Sequence, residues 1–209
     1  INNKIKRSID MKISLISTSH QQNSESSRIR KIFKKQIVKQ KKNLNTFDLD
    51  FSEEDFYFWY TDKKNQNSVW KEKWQMIAEE LKNSQGFVFI VPEYGGMATP
   101  IAKNFFLICN KGELAHKPGL IVSISSGNGG AYPVSELRSS SYKNTHIMWI
   151  PEQIIIRNVE QFQPGEHGLL IPTWIDKRIH YTLNLLIAYA ECMKPLSKLI
   201  NREDFGNGM

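Results

Sequence analysis

Three short segments of the 209-residue chain gather groups able to hold an anion or a flat ligand. The first runs Ser17-Thr18-Ser19-His20-Gln21-Gln22-Asn23-Ser24-Glu25-Ser26-Ser27, dense in hydroxyls and amides, and feeds residues with helical spacing. A helix N-terminus there offers unpaired N–H groups and the positive end of a dipole, and hydroxyl donors beside it suit a phosphate. The same residues also suit a plain helix cap in a polar loop. The second segment is Pro92-Glu93-Tyr94-Gly95-Gly96-Met97-Ala98-Thr99-Pro100. Tyr94 supplies a flat apolar face with a polar tip, and the glycines let backbone approach a planar ligand. The third, Ser125-Ser126-Gly127-Asn128-Gly129-Gly130, can turn backbone amides toward a ring edge. A glycine turn alone is weak evidence; three such loops at three strand ends weigh more.

Other chemistries find less support. The first loop has neither a G-x-G-x-x-G fingerprint nor a Walker lysine, so a mononucleotide fits better than a dinucleotide or a nucleoside triphosphate. No G-x-S-x-G elbow exists for a Ser/His/Asp hydrolase. His20 reads as a surface histidine with binding as the alternative. Glu53, Glu54 and Asp55 read as a solvated loop, and Asp176, Arg178 and His180 as the polar side of a helix. Trp59, Tyr60 and Trp70 could cover a ligand or pack in a core or subunit contact. Cys109 and Cys192 stand in apolar surroundings without a C-x-x-C partner and read as buried free thiols.

The elements that must position these loops alternate in type. Apolar runs predict strands over Lys12–Thr18, Leu44–Leu49, Phe87–Val91 (ended by Pro92) and Leu120–Ser125, with His146–Ile150 and Ile154–Val159 as the last strand and an edge extension. Spacing of three and four predicts helices over Glu25–Lys41 and Ser68–Asn83, a helix from Thr99-Pro100 to near Gly112, one marked by Pro133, and a long one over Ile175–Leu199. Strand–helix alternation predicts a doubly wound parallel sheet with right-handed crossovers. In such a sheet ligands lie outside the carboxyl ends of the strands, where all three loops fall.

Composition narrows the class. Hydrophobic residues make up 40% and charged residues 23%, enough apolar material for one packed domain of this length. The net charge of +7 is spread over amphipathic segments and accompanies no nucleic-acid motif, so it reads as solubility and attraction for small anions. No run of about 18 apolar residues predicts a membrane span, and a cytoplasmic location follows by default. Residues 1–10 are basic without an apolar stretch and are expected to be a flexible tail, with Met11 as the natural start. Residues 11–200 form the expected domain and 201–209 a flexible C-terminal tail.

On these loops the sequence resembles the NADPH-dependent FMN reductase family, over roughly Lys12 to Lys198. The family's first loop, Gly-Ser-x-Arg-x-x-Ser-x-Asn, lies without gaps on Thr18 to Ser26. Pro92, Glu93 and Tyr94 match its Pro-Glu-Tyr-Asn motif, with Lys103 and Asn104 in register. Ser125, Ser126, Gly127, Gly130, Leu137 and Arg138 meet its third motif. The resemblance implies a flavodoxin-like fold, a five-stranded sheet of order 2-1-3-4-5 with helices on both faces. It implies FMN at Ser19, Gln21, Ser24, Glu25, Ser26, Pro92, Glu93, Tyr94, Gly95, Ser126, Gly127 and Gly130. Within that set Ser19, Ser24 and Ser26 fall at phosphate-holding positions, Tyr94 and Gly95 line the ring, and Gly127–Gly130 amides meet its pyrimidine edge. It further implies NAD(P)H as co-substrate, a quinone, azo compound, metal ion or free flavin as acceptor, no side-chain catalyst, and a homodimer or homotetramer without nucleic-acid or membrane partners. Gln21 stands where the family has arginine, Thr18 where it has glycine and Gly95 where it has asparagine. A binding module with a degenerate site and a flavodoxin-type electron carrier are the alternatives, the carrier disfavoured by the basic charge.

Overall fold

The computed structural model describes residues 11–41, 43–54, 56–59, 68–162, 173–201, 204 and 206. The tail expected at 1–10 and most of that expected at 201–209 lie outside the described residues.

Among the described residues six strands form one sheet. Strand β1 (Met11–Ser17) lies second from the edge, flanked in parallel by the edge strand β2 (Leu44–Asp50) and the central strand β3 (Gly86–Tyr94). A two-residue return, β4 (Met97–Ala98), pairs antiparallel with the end of β3. Then β5 (Pro118–Ile124) and the edge strand β6 (Met148–Ile156) complete the path β2-β1-β3-β5-β6. With β4 set aside this is the expected five-stranded parallel order, a flavodoxin-like α/β fold.

Alternation along the strands sends apolar residues to both faces, and each face has its own core. Ile13, Leu15, Val88, Ile90, Leu120 and Val122 meet helices α1 (Glu25–Gln40) and, later in the chain, α6 (Thr173–Met193), through Ile29, Phe33, Ile37, Leu183 and Leu186. The opposite face puts Ile16, Phe87, Phe89, Val91 and Ile121 against α2 (Ser68–Lys82), α3 (Pro100–Ile108) and α4 (Ala131–Ser140), through Leu81, Phe105 and Leu137. Rings dominate that second core: Phe51 and Phe56 centroids are 4.4 Å apart, Phe89 and Phe106 5.2 Å. Strands buried on both sides are why FVFIV carries no polar alternation.

Four expectations need correction. Pro92 does not end β3, which continues to Tyr94. β1 pairs with β3 only as far as Ile90, so a proline two residues on deprives no β1 carbonyl of a donor. The last strand is one element, with Pro151 accommodated on the sheet edge beside a register shift between Gly119 and Ile121. The last helix stops at Met193; Pro195 intervenes before a four-residue helix Leu196–Leu199. Cys109 is buried but Cys192 is exposed, on the solvent side of α6.

Candidate functional site

The first loop leaves β1 at Ser17 and is pinned to its neighbours before it opens. Thr18 N–H and Oγ1–H both donate to Ile90 O, at 2.9 and 3.1 Å, and Thr99 Oγ1 donates to Thr18 O at 2.7 Å. Thr99 also caps α3, accepting from Ala102 N–H at 3.4 Å, ahead of Pro100 at the first helical position. Ser24 is the N-cap of α1, its Oγ accepting from Ser27 N–H at 3.2 Å. Asn23 takes the left-handed turn before it (φ +53°). The Ser19 hydroxyl bonds the Tyr94 hydroxyl at 2.9 Å and accepts from Gln21 N–H at 3.2 Å. Ser26, on the first turn of α1, is fully buried and its hydroxyl has no partner in the protein.

Beneath this loop lies a polar anchor. Arg30 is buried between Asp48 and Asp50, and Asp50 Oδ1 accepts from Ser52 N–H at 3.1 Å and Ser52 Oγ at 2.8 Å. Burial pushes the Asp50 pKa up, but the neighbouring Ser27 and Ser52 hydroxyls and the Ser52 amide outweigh it and hold the carboxyl below 3.8.

The second and third loops are joined by one carboxylate. Glu93 Oε2 accepts from Gly130 N–H at 2.7 Å and Tyr132 N–H at 3.4 Å, supplying the start of α4 with the cap that its N-cap glycine has no side chain to give. Gly129 is required by this approach, since a Cβ there would overlap Glu93 Oε1. Gly95 and Gly96 carry positive φ (+58° and +76°) in the tight return from β3 to β4. Behind the third loop, Asn158 N–H donates to Gly127 O and Val159 N–H to Ser125 O, at 2.9 and 3.0 Å. Arg28 closes the circuit: it pairs with Glu25 and donates to Phe162 O and Val159 O at 2.5 and 2.6 Å.

The loops share a cleft of about 210 Å³ at the carboxyl edge of the sheet. Of the residues singled out in the sequence, Gln21, Ser24, Glu25, Ser26, Pro92, Glu93, Tyr94 and Ser126 line it. Ser19 meets it through Tyr94, while Gly95, Gly127 and Gly130 belong to the flanking turns rather than the lining. Ile124, Ser125, Val159 and Glu160 complete the wall. Val159 and Glu160 arrive from a turn after β6 that carries no ligand-binding signature, so only the fold brings them in.

A second hollow of about 510 Å³ adjoins it, lined by His20, Gln22, Phe51, Ser52, Glu54, Phe56, Tyr57 and Ile101. The His20 ring meets Tyr94 edge-on at 6.0 Å. Asn104 holds one wall, accepting from Trp59 N–H at 2.8 Å and donating to Tyr57 O at 2.9 Å. Trp70 packs in the core against Phe56 and Trp74, Trp59 is exposed, and Tyr60 lies outside the described residues. Glu54 pairs with Lys73. Among the described residues no three His, Cys, Asp or Glu side chains converge as a metal site, and no helix is long and apolar enough to cross a membrane.

The sequence profile of the NADPH-dependent FMN reductases matches residues 11–161, a span that contains all three loops. The chain belongs to that family. Membership makes it an NAD(P)H-dependent flavin oxidoreductase. A search of curated proteins by sequence finds no match. Solved structures with the same fold include an oxidoreductase from Corynebacterium diphtheriae, 17% identical with a TM-score of 0.66, covering 89% of this chain and 98% of its own. The NAD(P)H:(acceptor) oxidoreductase FerB from Paracoccus denitrificans is 16% identical, TM-score 0.68, covering 88% and 98%. The apo form of the NADH:FMN oxidoreductase EmoB is 15% identical, TM-score 0.62, covering 84% and 88%.

Proposed function

We propose that this FMN reductase relative binds FMN in the cleft, takes hydride from NAD(P)H and passes electrons to a small acceptor such as a quinone, azo compound, metal ion or free flavin. The carrying observation is that Gln21, Ser24 and Ser26, Pro92 to Tyr94, and Ser125 and Ser126, from three separate loops, line one cleft at a strand-order switch point. The residues present fit the group. The partnerless buried Ser26 hydroxyl and the first-turn amides of α1 are donors suited to a phosphate. The volume lies below the 300–1,000 Å³ or so of sites that enclose a ligand, so the ring would rest at the mouth, open to a second reactant.

The flavin supplies two-electron chemistry when bound. The chain's own part is positional and electrostatic. Tyr94, fixed by Ser19, offers a flat wall. In the third loop the Gly130 amide is taken by Glu93 and the Gly127 amide by Ser125 Oγ, so the amides of Asn128 and Gly129 are the ones that would stabilise negative charge at the pyrimidine edge. No side-chain acid or base is assigned. The exposed side chains of Tyr57, Phe58, Trp59, Met97 and Tyr132 suit a homodimer contact.

Mixing the pure protein with FMN and NADPH without oxygen tests the reading. Bleaching of the yellow colour at a rate saturable in NADPH supports it. Retained colour without bleaching favours a carrier or binding module and overturns it.

A further inference from the structure

The cleft offers a flavin many neutral donors and little positive charge. Its lining carries three carboxylates, Glu25, Glu93 and Glu160, and neither an arginine nor a lysine. Each carboxylate has a different local balance. Glu25 is paired with Arg28, whose remaining donors are committed to the carbonyls of Val159 and Phe162. Glu93 is held by the amides of Gly130 and Tyr132. Glu160 stands exposed on the wall and has no ion-pair partner among the described residues. Arg157 donates to Asn128 O and Gly129 O behind the third loop.

A phosphate entering this cleft would gain the α1 dipole and neutral hydroxyls, and would meet uncompensated negative charge. The ring and ribityl chain face no such opposition: Tyr94, Pro92, Ile124 and Val159 give apolar surface, and Ser125 and Ser126 give hydroxyl partners.

Building on the proposed flavin site, we infer that this cleft recognises a flavin by its ring and ribityl chain and discriminates little for the 5′-phosphate, so that riboflavin is bound nearly as well as FMN. Gln21 and Glu160 set that selectivity. Gln21 can give only a neutral hydrogen bond where a guanidinium would give a charge-assisted one, a difference of roughly tenfold or more in affinity. Glu160 repels a dianion directly.

Quenching of flavin fluorescence by the full-length protein, titrated separately with riboflavin and FMN, gives the two dissociation constants. The expected ratio is below about tenfold at physiological ionic strength, and FMN binding should not weaken as salt rises, because screening relieves repulsion. Gln21→Arg should tighten FMN about tenfold, and Glu160→Gln about threefold, each changing FMN affinity more than riboflavin affinity. FMN binding a hundredfold or more tighter than riboflavin in the unaltered protein would overturn this inference and leave the flavin site standing. Failure of both flavins to bind would overturn the flavin site as well.

Discussion

Glu93 lines the cleft and at the same time ties the second loop to the third. The matching of Pro92-Glu93-Tyr94 to a flavin motif placed it among the cofactor contacts, and it does line the cleft, but its carboxylate is spent on the amides of Gly130 and Tyr132. It therefore acts as a positioning residue for the third loop. Glu93→Ala should destabilise the fold by about 1–3 kcal/mol, since it strands two helix-start donors, and should weaken flavin binding while Glu93→Gln retains part of it. Thermal melts together with flavin titration check both. Asp50 makes a second case, with a pH signature. Its pKa is lowered on folding, so the unfolded chain binds the proton more readily. Its stabilisation is complete above about 3.8 and is lost as pH falls through the lowered folded value. Urea midpoints measured from pH 6 down to pH 3 should fall more steeply for the native protein than for Asp50→Asn. The sequence shows neither role, because both depend on partners 20 or more positions away or on a strand-end neighbour.

Among the elements, α3 does more than cover the sheet. Thr99 ties its start to the first loop, Lys103 pairs with Glu136 on α4, and Asn104 clamps the backbone of Tyr57 and Trp59. Glu136 also accepts from Ala98 N–H at 2.7 Å; burial raises its pKa, but the Lys103 and Ala98 bonds outweigh that and the net shift is downward. Lys103, Asn104, Leu137 and Arg138 all fall in family register, and the structure gives them scaffold contacts; Arg138, for instance, donates to Ile150 O at 2.6 Å and Glu152 O at 3.1 Å. Asn104→Ala should free the 57–59 segment at a cost of about 1 kcal/mol, because it removes two part-buried hydrogen bonds. Faster hydrogen exchange at the Trp59 amide, with α3 still folded by circular dichroism, is the expected reading.

For the whole molecule, two apolar cores on opposite faces of one sheet force the loops at its carboxyl edge into a common region, and the order β2-β1-β3-β5-β6 sets the first loop beside the other two. The exposed aromatics at that edge, with Phe58 73% and Tyr132 67% accessible, predict self-association. Sedimentation equilibrium should find a dimer, and Phe58→Ser with Tyr132→Ser should shift it toward monomer without loss of helix content. The sequence by itself determined the alternation of strands and helices, the parallel sheet, the helix cap at Thr99 and the three loops, because periodicity and capping are local and repeat within a few residues. Only the tertiary structure decided that Pro92 stays inside a strand, that Val159 and Glu160 form part of the cleft wall, and that Glu93 bonds the third loop. Each of those depends on which strand ends lie side by side, and strand adjacency is fixed by packing between segments far apart in the chain.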